Sequence, residues 1–469
     1  MAVQTVSARP MPGPRGLPAV GKGLNLLRVA RDPFRWLRRL HTTYGDVVAI
    51  ERGDPSMVFA FGPEQNHALL AQPDLFVNDR GQLLRIPPGT ALHRLFRHNL
   101  STMDGAHHRQ QRRLMQPAFH RKQVHGYHGD MVAITQQTLE RWRPGETIDL
   151  HAAMQRLTLH ITVATLFGIY DEEELAQVGG LFQRATGIVA SPLALALPYN
   201  VPGLPFHRAN RMIEQLERYI RSVVERKRAQ PDATDVLAHL VRTSDEDGAA
   251  LSEAELIGHA FTLFAAGHET TANALTWTIA LLDQHPQVYA ALLDELEAAL
   301  GGAAPTAEQL SRLPLLEGVV KESLRLLPPA IIGIRTAAAE TTLGGYTLPK
   351  GANVFYSEFI THRLPALYEQ PDRFLPERWR TLEPGTYAYL PFAAGPHMCI
   401  GWGFAMQEMK TVLALLVQRF RLALAPGTTL TPSFNMRPKG AVPVQIHPQD
   451  RRFQRAEVRG EIRELVELA

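Results

Sequence analysis

The longest apolar pattern in the chain runs through residues 252–284. Ser252 and Glu255 have the spacing of a capping box, and Pro286 stops the run. At about 1.5 Å per residue, such a helix is about 45–50 Å long, the width of a large domain. A helix that is greasy all round is either a central core element or a membrane span. Any fold of this chain must therefore be wrapped around this rod. Its middle reads Ala266-Gly267-His268-Glu269-Thr270-Thr271. An acid, two hydroxyls and a glycine in mid-span disfavour both the membrane and a plain core, because an unpaired buried carboxylate is costly. Gly267 removes side-chain bulk where a flat ligand could approach. Glu269 and Thr270 set an acid beside an alcohol, the parts of a proton relay. The blander alternative is a Thr270 hydroxyl bonded to the carbonyl four residues back, merely bending the helix.

A chain of 469 residues would ordinarily divide into about three domains. Nothing here marks a division: there is no Gly/Ser linker, no block of like charge and no internal repeat. One large, mainly helical domain with a small β region is expected over residues 30–447. A Pro-rich N-terminal extension, 1–29, precedes it, and a charged tail, 448–469, helical in pattern, follows. Residues 8–18, ARPMPGPRGLP, read as extended and solvated. No apolar run of spanning length precedes them, so no membrane anchor is expected. The net charge of +3 and the lack of a basic stripe interleaved with aromatics do not call for nucleic acid. A single cysteine excludes an internal disulfide and suits a reducing compartment, the cytoplasm.

That cysteine, Cys399, lies in PFAAGPHMCIG, residues 391–401. Gly395 and Pro396 break the chain before it, and an apolar-periodic helix starts after Gly401. A cysteine ahead of a helix N-terminus is expected to favour the thiolate. One sulfur cannot build a structural zinc site, but it suffices as the axial ligand of a haem iron. The alternative is an inert buried cysteine. Upstream, His108 and Arg112 are four apart and share a helix face, which by itself is only a solvated basic face. Glu322 and Arg325 in KESLRLLPP are three apart and flanked by leucines, with Arg378 in the later Pro376-Glu377-Arg378-Trp379.

Phe392, Gly395, His397, Cys399 and Gly401 resemble the haem-binding loop of the cytochromes P-450, the haem-thiolate monooxygenases. One departure is His397, where that family most often has arginine. The other segments match in the family's order: basic helix, acid–alcohol helix, Glu-x-x-Arg, cysteine loop. The resemblance implies haem b with Cys399 as its iron ligand, and Phe392 and Gly401 shaping the loop. It places His108, Arg112, Arg335 and His397 at the haem propionates. Thr270 and Glu269 become the catalytic proton-delivery pair. Phe264, Ala265, Ala266, Ile331 and Ile332 become the wall of an apolar substrate pocket. Glu322, Arg325 and Arg378 become a structural triad.

The implied reaction inserts one atom of O₂ into an apolar small molecule by hydroxylation or epoxidation. Terpenes, fatty acids, steroids and polyketides all suit such a pocket. No flavin or iron–sulfur segment is present in the sequence, so electrons are expected from a separate donor, a ferredoxin or flavodoxin with its reductase. A peroxide-driven or hydroperoxide-rearranging enzyme, and a non-catalytic haem sensor, remain as alternatives. Two further segments are expected to serve the pocket. The irregular residues 78–100 would roof it, and the Pro-broken apolar residues 188–204 would form a mobile lid or plain buried packing.

Overall fold

The computed structural model describes residues 10–16, 21–78, 86–189, 191, 193–194, 197–244 and 248–468. Helices α1 (Gly23–Arg31) and α2 (Pro33–Tyr44) precede a hairpin of β1 (Val47–Ala49) and β2 (Met57–Ala60). Helix α3 (Pro63–Leu70), strand β3 (Phe76–Val77) and helix α4 (Ala91–Arg97) lead to α5 (Gly105–Met115), which carries His108 and Arg112. Then come α6 (Arg121–Gly126), α7 (His128–Glu140), β4 (Thr147–Asp149), α8 (Leu150–Phe167), α9 (Glu172–Val189), α10 (Pro205–Arg228) and α11 (Val236–Arg242). The expected rod is α12 (Glu253–Gln284). Helices α13 (Pro286–Leu300), α14 (Ala307–Leu310) and α15 (Pro314–Leu326) follow. The small β region is built from β5 (Gly333–Ala337), β6 (Thr341–Leu343), β7 (Tyr346–Leu348) and β8 (Asn353–Tyr356). After α16 (Glu358–Thr361) and α17 (Trp402–Arg419), strands β9 (Phe420–Leu424) and β10 (Pro443–Pro448) and helix α18 (Ile462–Leu465) close the chain.

The capping box at the start of α12 is formed: the Ser252 hydroxyl accepts from Glu255 N–H, and the Glu255 carboxylate accepts from Ser252 N–H at 2.8 Å. Residues 271–284 of α12 are buried throughout. Their polar groups are bonded, as burial requires. Thr278 donates to the Ser323 hydroxyl at 2.8 Å, and Trp277 Nε1–H to the Met436 carbonyl. This saturation is how a polar-studded helix can be the core of a large domain. No described helix is long and apolar enough to cross a membrane.

Five strands form a sheet in the order β1-β2-β8-β5-β3, with only β2–β8 parallel. A second sheet has the order β4-β10-β9, and β6 pairs with β7. In the first sheet Arg335 on β5 lies opposite Val354 on β8, and Gly333 opposite Tyr356. A Cβ on Gly333 would collide with the Tyr356 ring, so the glycine lets that ring lie flat across the strand. Arg335 is thereby carried on a paired strand and is buried, 4% exposed.

Several expectations are corrected. Of residues 8–18, expected to be solvated, the described ones are 10–16, and only Pro10 and Arg15 of these are exposed. Met11 is 4% exposed, and backbone bonds from Ala49, Gly53 and Arg52 to Pro12, Met11 and Pro14 seal the segment onto the β1–β2 hairpin. Proline-rich chain cannot donate there, but its carbonyls accept from an edge strand. Residues 78–100 are not irregular throughout: α4 occupies part, capped by Thr90, while 79–85 lie outside the described residues. The lid segment falls partly on residues 190, 192 and 195–196, outside the described set; its described Leu193, Tyr199 and Val201 are exposed. The tail is helical only over the 4 residues of α18, and its apolar Ile462, Leu465 and Val466 are buried against the domain.

Candidate active site

Residues 391–401 fold into a tight turn ahead of α17. Cys399 N–H donates to the Phe392 carbonyl at 2.9 Å, and Met398 N–H to the Gly395 carbonyl at 3.0 Å. Gly395 sits at φ +71°, and a Cβ there would collide with the Leu70 carbonyl, so the turn admits only glycine. Arg112 Nη1–H donates to the Met398 carbonyl at 2.7 Å, tying α5 to the loop. The Cys399 side chain is exposed, but to an internal cavity of about 460 Å³ and not to the outer surface. The expected lowering of its pKa by the helix N-terminus does not win. Burial raises the thiol, against the smaller opposing effects of the Gly401 N–H and the Arg112 charge. A thiol in this setting ionises when it binds a metal cation.

One cavity brings together most of the predicted residues: Cys399, Phe392, Gly401, His397, His108, Arg112, Arg335, Thr270, Ala266 and Ile332 all line it. Four do not. Helical rotation decides three of them: at about 100° per residue, Thr262, Ala266 and Thr270 share a face. Phe264 points the other way, into an aromatic cluster with Phe182, whose ring centroid is 4.8 Å away. Ala265 packs on the hydrophobic core. Glu269 faces outward, its side chain 32% exposed and 4.0 Å from Arg437. Ile331 is 1% exposed in the core, its carbonyl accepting from the Ser357 hydroxyl at 2.8 Å, so only Ile332 of that pair reaches the cavity.

The middle of α12 shows both readings of its motif. Thr270 Oγ1–H donates to the Ala266 carbonyl at 2.8 Å, so the bland bond is made, yet the residue also lines the cavity. Its lone pairs remain free to accept, and rotation frees its proton. The bulk that Gly267 lacks is room for a neighbouring helix: a Cβ would lie 2.9 Å from Thr162 Cγ2 on α8.

At the cavity edge His108 and His397 stack with ring centroids 3.9 Å apart. Burial, then His397, then Arg112 push His108 down to about 4, so it is neutral near pH 7. Asn78 Nδ2–H donates to His397 Nδ1 at 2.8 Å, which puts the proton of a neutral His397 on Nε2. That Nε2 lies 3.5 Å from Asp104 Oδ1 but makes no hydrogen bond. Asp104 instead accepts from Asn78 N–H at 2.9 Å. Asn78 and Asp104 were missed as site residues, and no spacing signals them. Glu358, another cavity residue, was missed too. Its signal was legible: one acid inside the apolar run Phe355-Tyr356-Ser357-Glu358-Phe359-Ile360.

The comparisons with known proteins agree with this geometry. The Cytochrome P450 family model matches residues 11–447. The chain belongs to the cytochrome P450 family. Cyclooctat-9-en-7-ol 5-monooxygenase of Streptomyces melanosporofaciens is 34% identical over 432 residues, 89% of this chain and 90% of the relative. Pentalenene oxygenase of Streptomyces avermitilis is 30% identical, covering 92% of this chain and 95% of the relative. Among solved structures, a retinoic acid-bound cyanobacterial CYP120A1 superposes with a TM-score of 0.80 at 28% identity, covering 94% of this chain and 100% of that one. A cytochrome P450DA heme domain superposes at 0.82 with 25% identity, covering 95% and 99%.

This P450 is a haem-thiolate monooxygenase acting on apolar small molecules with O₂ and an external electron donor, and its cofactor is haem b. The residues present fit that group. A single sulfur faces an otherwise largely apolar cavity, and Arg112 and Arg335 lie on its wall. Three buried polar atoms of cavity residues lack partners: His397 Nε2, Asn78 Oδ1 and Glu358 Oε2. Such orphans are rare in a finished interior, and the carboxylates of a haem edge would supply the acceptor that the His397 Nε2–H lacks.

Proposed function

We propose that this P450 oxygenates a cyclic terpenoid, held by apolar contacts above Cys399. Two observations carry this reading together: the wall of Leu100, Leu166, Leu263, Ala266 and Ile332 leaves few polar groups and so calls for an apolar substrate, and the relatives' names choose among the apolar classes. The printed names of the relatives, an -en-ol monooxygenase and an -ene oxygenase, support unsaturated cyclic skeletons over fatty acids. Haem b, once bound, supplies the chemistry of dioxygen activation. The chain's own residues do the rest. Cys399 Sγ would be the protein's ligand to the iron. Arg112 and Arg335, with neutral His108 and with His397, would hold the cofactor's carboxylates, the arginines through planar forks. Phe392 and Gly401 keep the loop clear for the cofactor. Thr270 Oγ1 exchanges its bond to the Ala266 carbonyl for one into the cavity and so moves a proton. Glu269, on the outer face beside Arg437, gathers that proton from solvent.

The electron donor in this reading is a ferredoxin, with a flavodoxin as the other carrier. Half-exposed Trp402, next to the cysteine loop, and exposed Arg113, Arg121 and Lys122 offer an acidic carrier a landing surface. A single cysteine fits work in the reducing cytoplasm. The test is a spin-state titration of the ferric protein with cyclic terpene alkenes and alcohols, fatty acids and steroids. Terpenoids should give the tightest low-to-high-spin shift. A shift confined to fatty acids or steroids would overturn the class.

A further inference from the structure

Glu358 is the first residue of α16, directly after β8. Its N-cap, Ser357, accepts from Ile360 N–H at 3.3 Å and donates to the Ile331 carbonyl at 2.8 Å, so the backbone here is pinned to the lead-in of β5. The Glu358 residue is 2% exposed and still lines the cavity that holds Cys399. Its Oε2 has no hydrogen-bond partner. Among the described residues, Arg335 is the one charged group that acts on it, and no ion pair joins the two. The Arg335 guanidinium donates instead to its neighbour's carbonyl, Ile334 O, at 2.8 Å.

An ionised carboxylate here would need a donor or a cation at Oε2, and neither is in contact; the one donor to the carboxyl is its own backbone N–H. A protonated carboxyl needs only an acceptor. Burial favours that neutral form and pushes Glu358 up to about 8, with its own backbone N–H and then Arg335 pulling the other way. The acceptor that the protein does not supply is of the kind the cofactor brings: a carboxylate.

We propose that Glu358 serves as a neutral acid whose Oε2–H donates a hydrogen bond to the haem carboxylate neutralised by Arg335. This rests on the reading that Arg335 faces that carboxylate. Two carboxyl groups then share one arginine, one ionised and one protonated, which is the stable charge state for close like acids. No bond is broken and no proton leaves; the hydrogen bond is the whole interaction. The sign of the pH effect follows. The grip is complete below the Glu358 pKa and lost as pH rises through it, because a second anion then faces a single cation. The other groups facing the site are Tyr356 on β8, His108 and Arg112 on α5, and His397 on the cysteine loop. His108, at about 4, does not titrate in this window.

The experiment follows haem transfer from ferric holoprotein to excess apomyoglobin between pH 6.5 and 9.5, with the ferric/ferrous midpoint potential measured over the same range. In the native protein, haem loss should accelerate about tenfold as pH rises through the window, the size of one lost charge-assisted hydrogen bond. The midpoint potential should fall over the same range, since an added anion stabilises ferric iron. Glu358→Gln keeps a donor and cannot ionise, so both curves should be flat, with haem loss as slow as native at pH 7. Glu358→Leu should lose haem faster at every pH. Identical pH curves for native and Glu358→Gln proteins would overturn the proposal. Arg335→Lys and Arg335→Leu separate the two readings. Unchanged haem loss in Arg335→Leu would remove the carboxylate from Arg335 and overturn both. Faster loss there, with Glu358→Gln indistinguishable from native in both readouts, would overturn only the role of Glu358.

Discussion

Two buried glutamates in this P450 are treated in opposite ways. Glu322 on α15 is 0% exposed and accepts from Arg325 Nε and Nη2 at 2.9 Å, Arg378 Nε at 3.0 Å, Trp379 Nε1 at 2.9 Å and Leu375 N–H at 3.0 Å. Arg325 passes its remaining donors to the carbonyls of His362, Pro371 and Arg373. Glu358 is almost as buried, and one of its oxygens bonds nothing. The first arrangement is a closed polar network that fastens α15 to the segment leading to the cysteine loop. The second is an open one. A chain that saturates a buried carboxylate in one place and leaves another unfilled at a cavity wall marks where its partner comes from outside.

The largest effect expected from this contrast is at Glu322. Glu322→Ala leaves Arg325 charged and unpaired in the core, a loss of about 3–5 kcal/mol. Little folded holoprotein should be recovered, and near-native yield and melting temperature would show that the network is not closed as described. Cys399→Ser comes next. It should fold, since the loop is held by backbone bonds and Arg112, but the thiolate-specific absorption of the CO-bound ferrous form should vanish. Retention of that band would remove Cys399 as ligand.

A pH test sharpens the contrast further. His362 belongs to the closed network: its Nε2 accepts from Leu390 N–H at 2.7 Å, and its Nδ1–H donates to the Arg325 carbonyl at 3.1 Å. Burial, then Arg325, holds it down at about 3. A depressed histidine stabilises the fold fully above its unfolded pKa of about 6.5 and loses that contribution as pH falls. Denaturant unfolding at pH 5 should therefore show about 2 kcal/mol less stability than at pH 7. Equal stability at both would contradict a neutral, saturated His362. The closed network thus weakens in acid, while the open site at Glu358 weakens in base. The smallest effect is at Thr270. Thr270→Ala should cut coupling of electrons to product about 3- to 10-fold, with peroxide appearing instead, the scale of one hydrogen bond. Unchanged coupling would leave the hydroxyl with only its helix-bending bond to Ala266.

The closed network was legible because it is local in sequence. Glu322 and Arg325 share a helix face at i, i+3, among leucines that announce burial. The cysteine loop was legible for the same reason, as Gly395 and Gly401 bracket Cys399 within a few residues. The substrate wall was legible only to within a turn of helix: Ala266 was placed correctly, while Phe264 and Ala265 rotate away, and Ile331 yields to Ile332. Glu269 was recognised as an acid beside Thr270, but adjacency in a helix separates two side chains by about 100°. Asn78 and Asp104 meet His397 from distant parts of the chain, and no periodicity carries such a meeting.

By itself, the sequence determined the rod of α12, the order of the elements, the lone sulfur and its turn, because capping, periodicity and glycine geometry act over a few residues. Tertiary structure alone decided which faces line the cavity, that residues 10–16 seal onto β1–β2, and that burial outweighs a helix terminus at Cys399. It also decided that Glu358 Oε2 is left without a partner. Burial and hydrogen-bond satisfaction are sums over neighbours from remote segments, and those neighbours exist only once the chain has closed on itself.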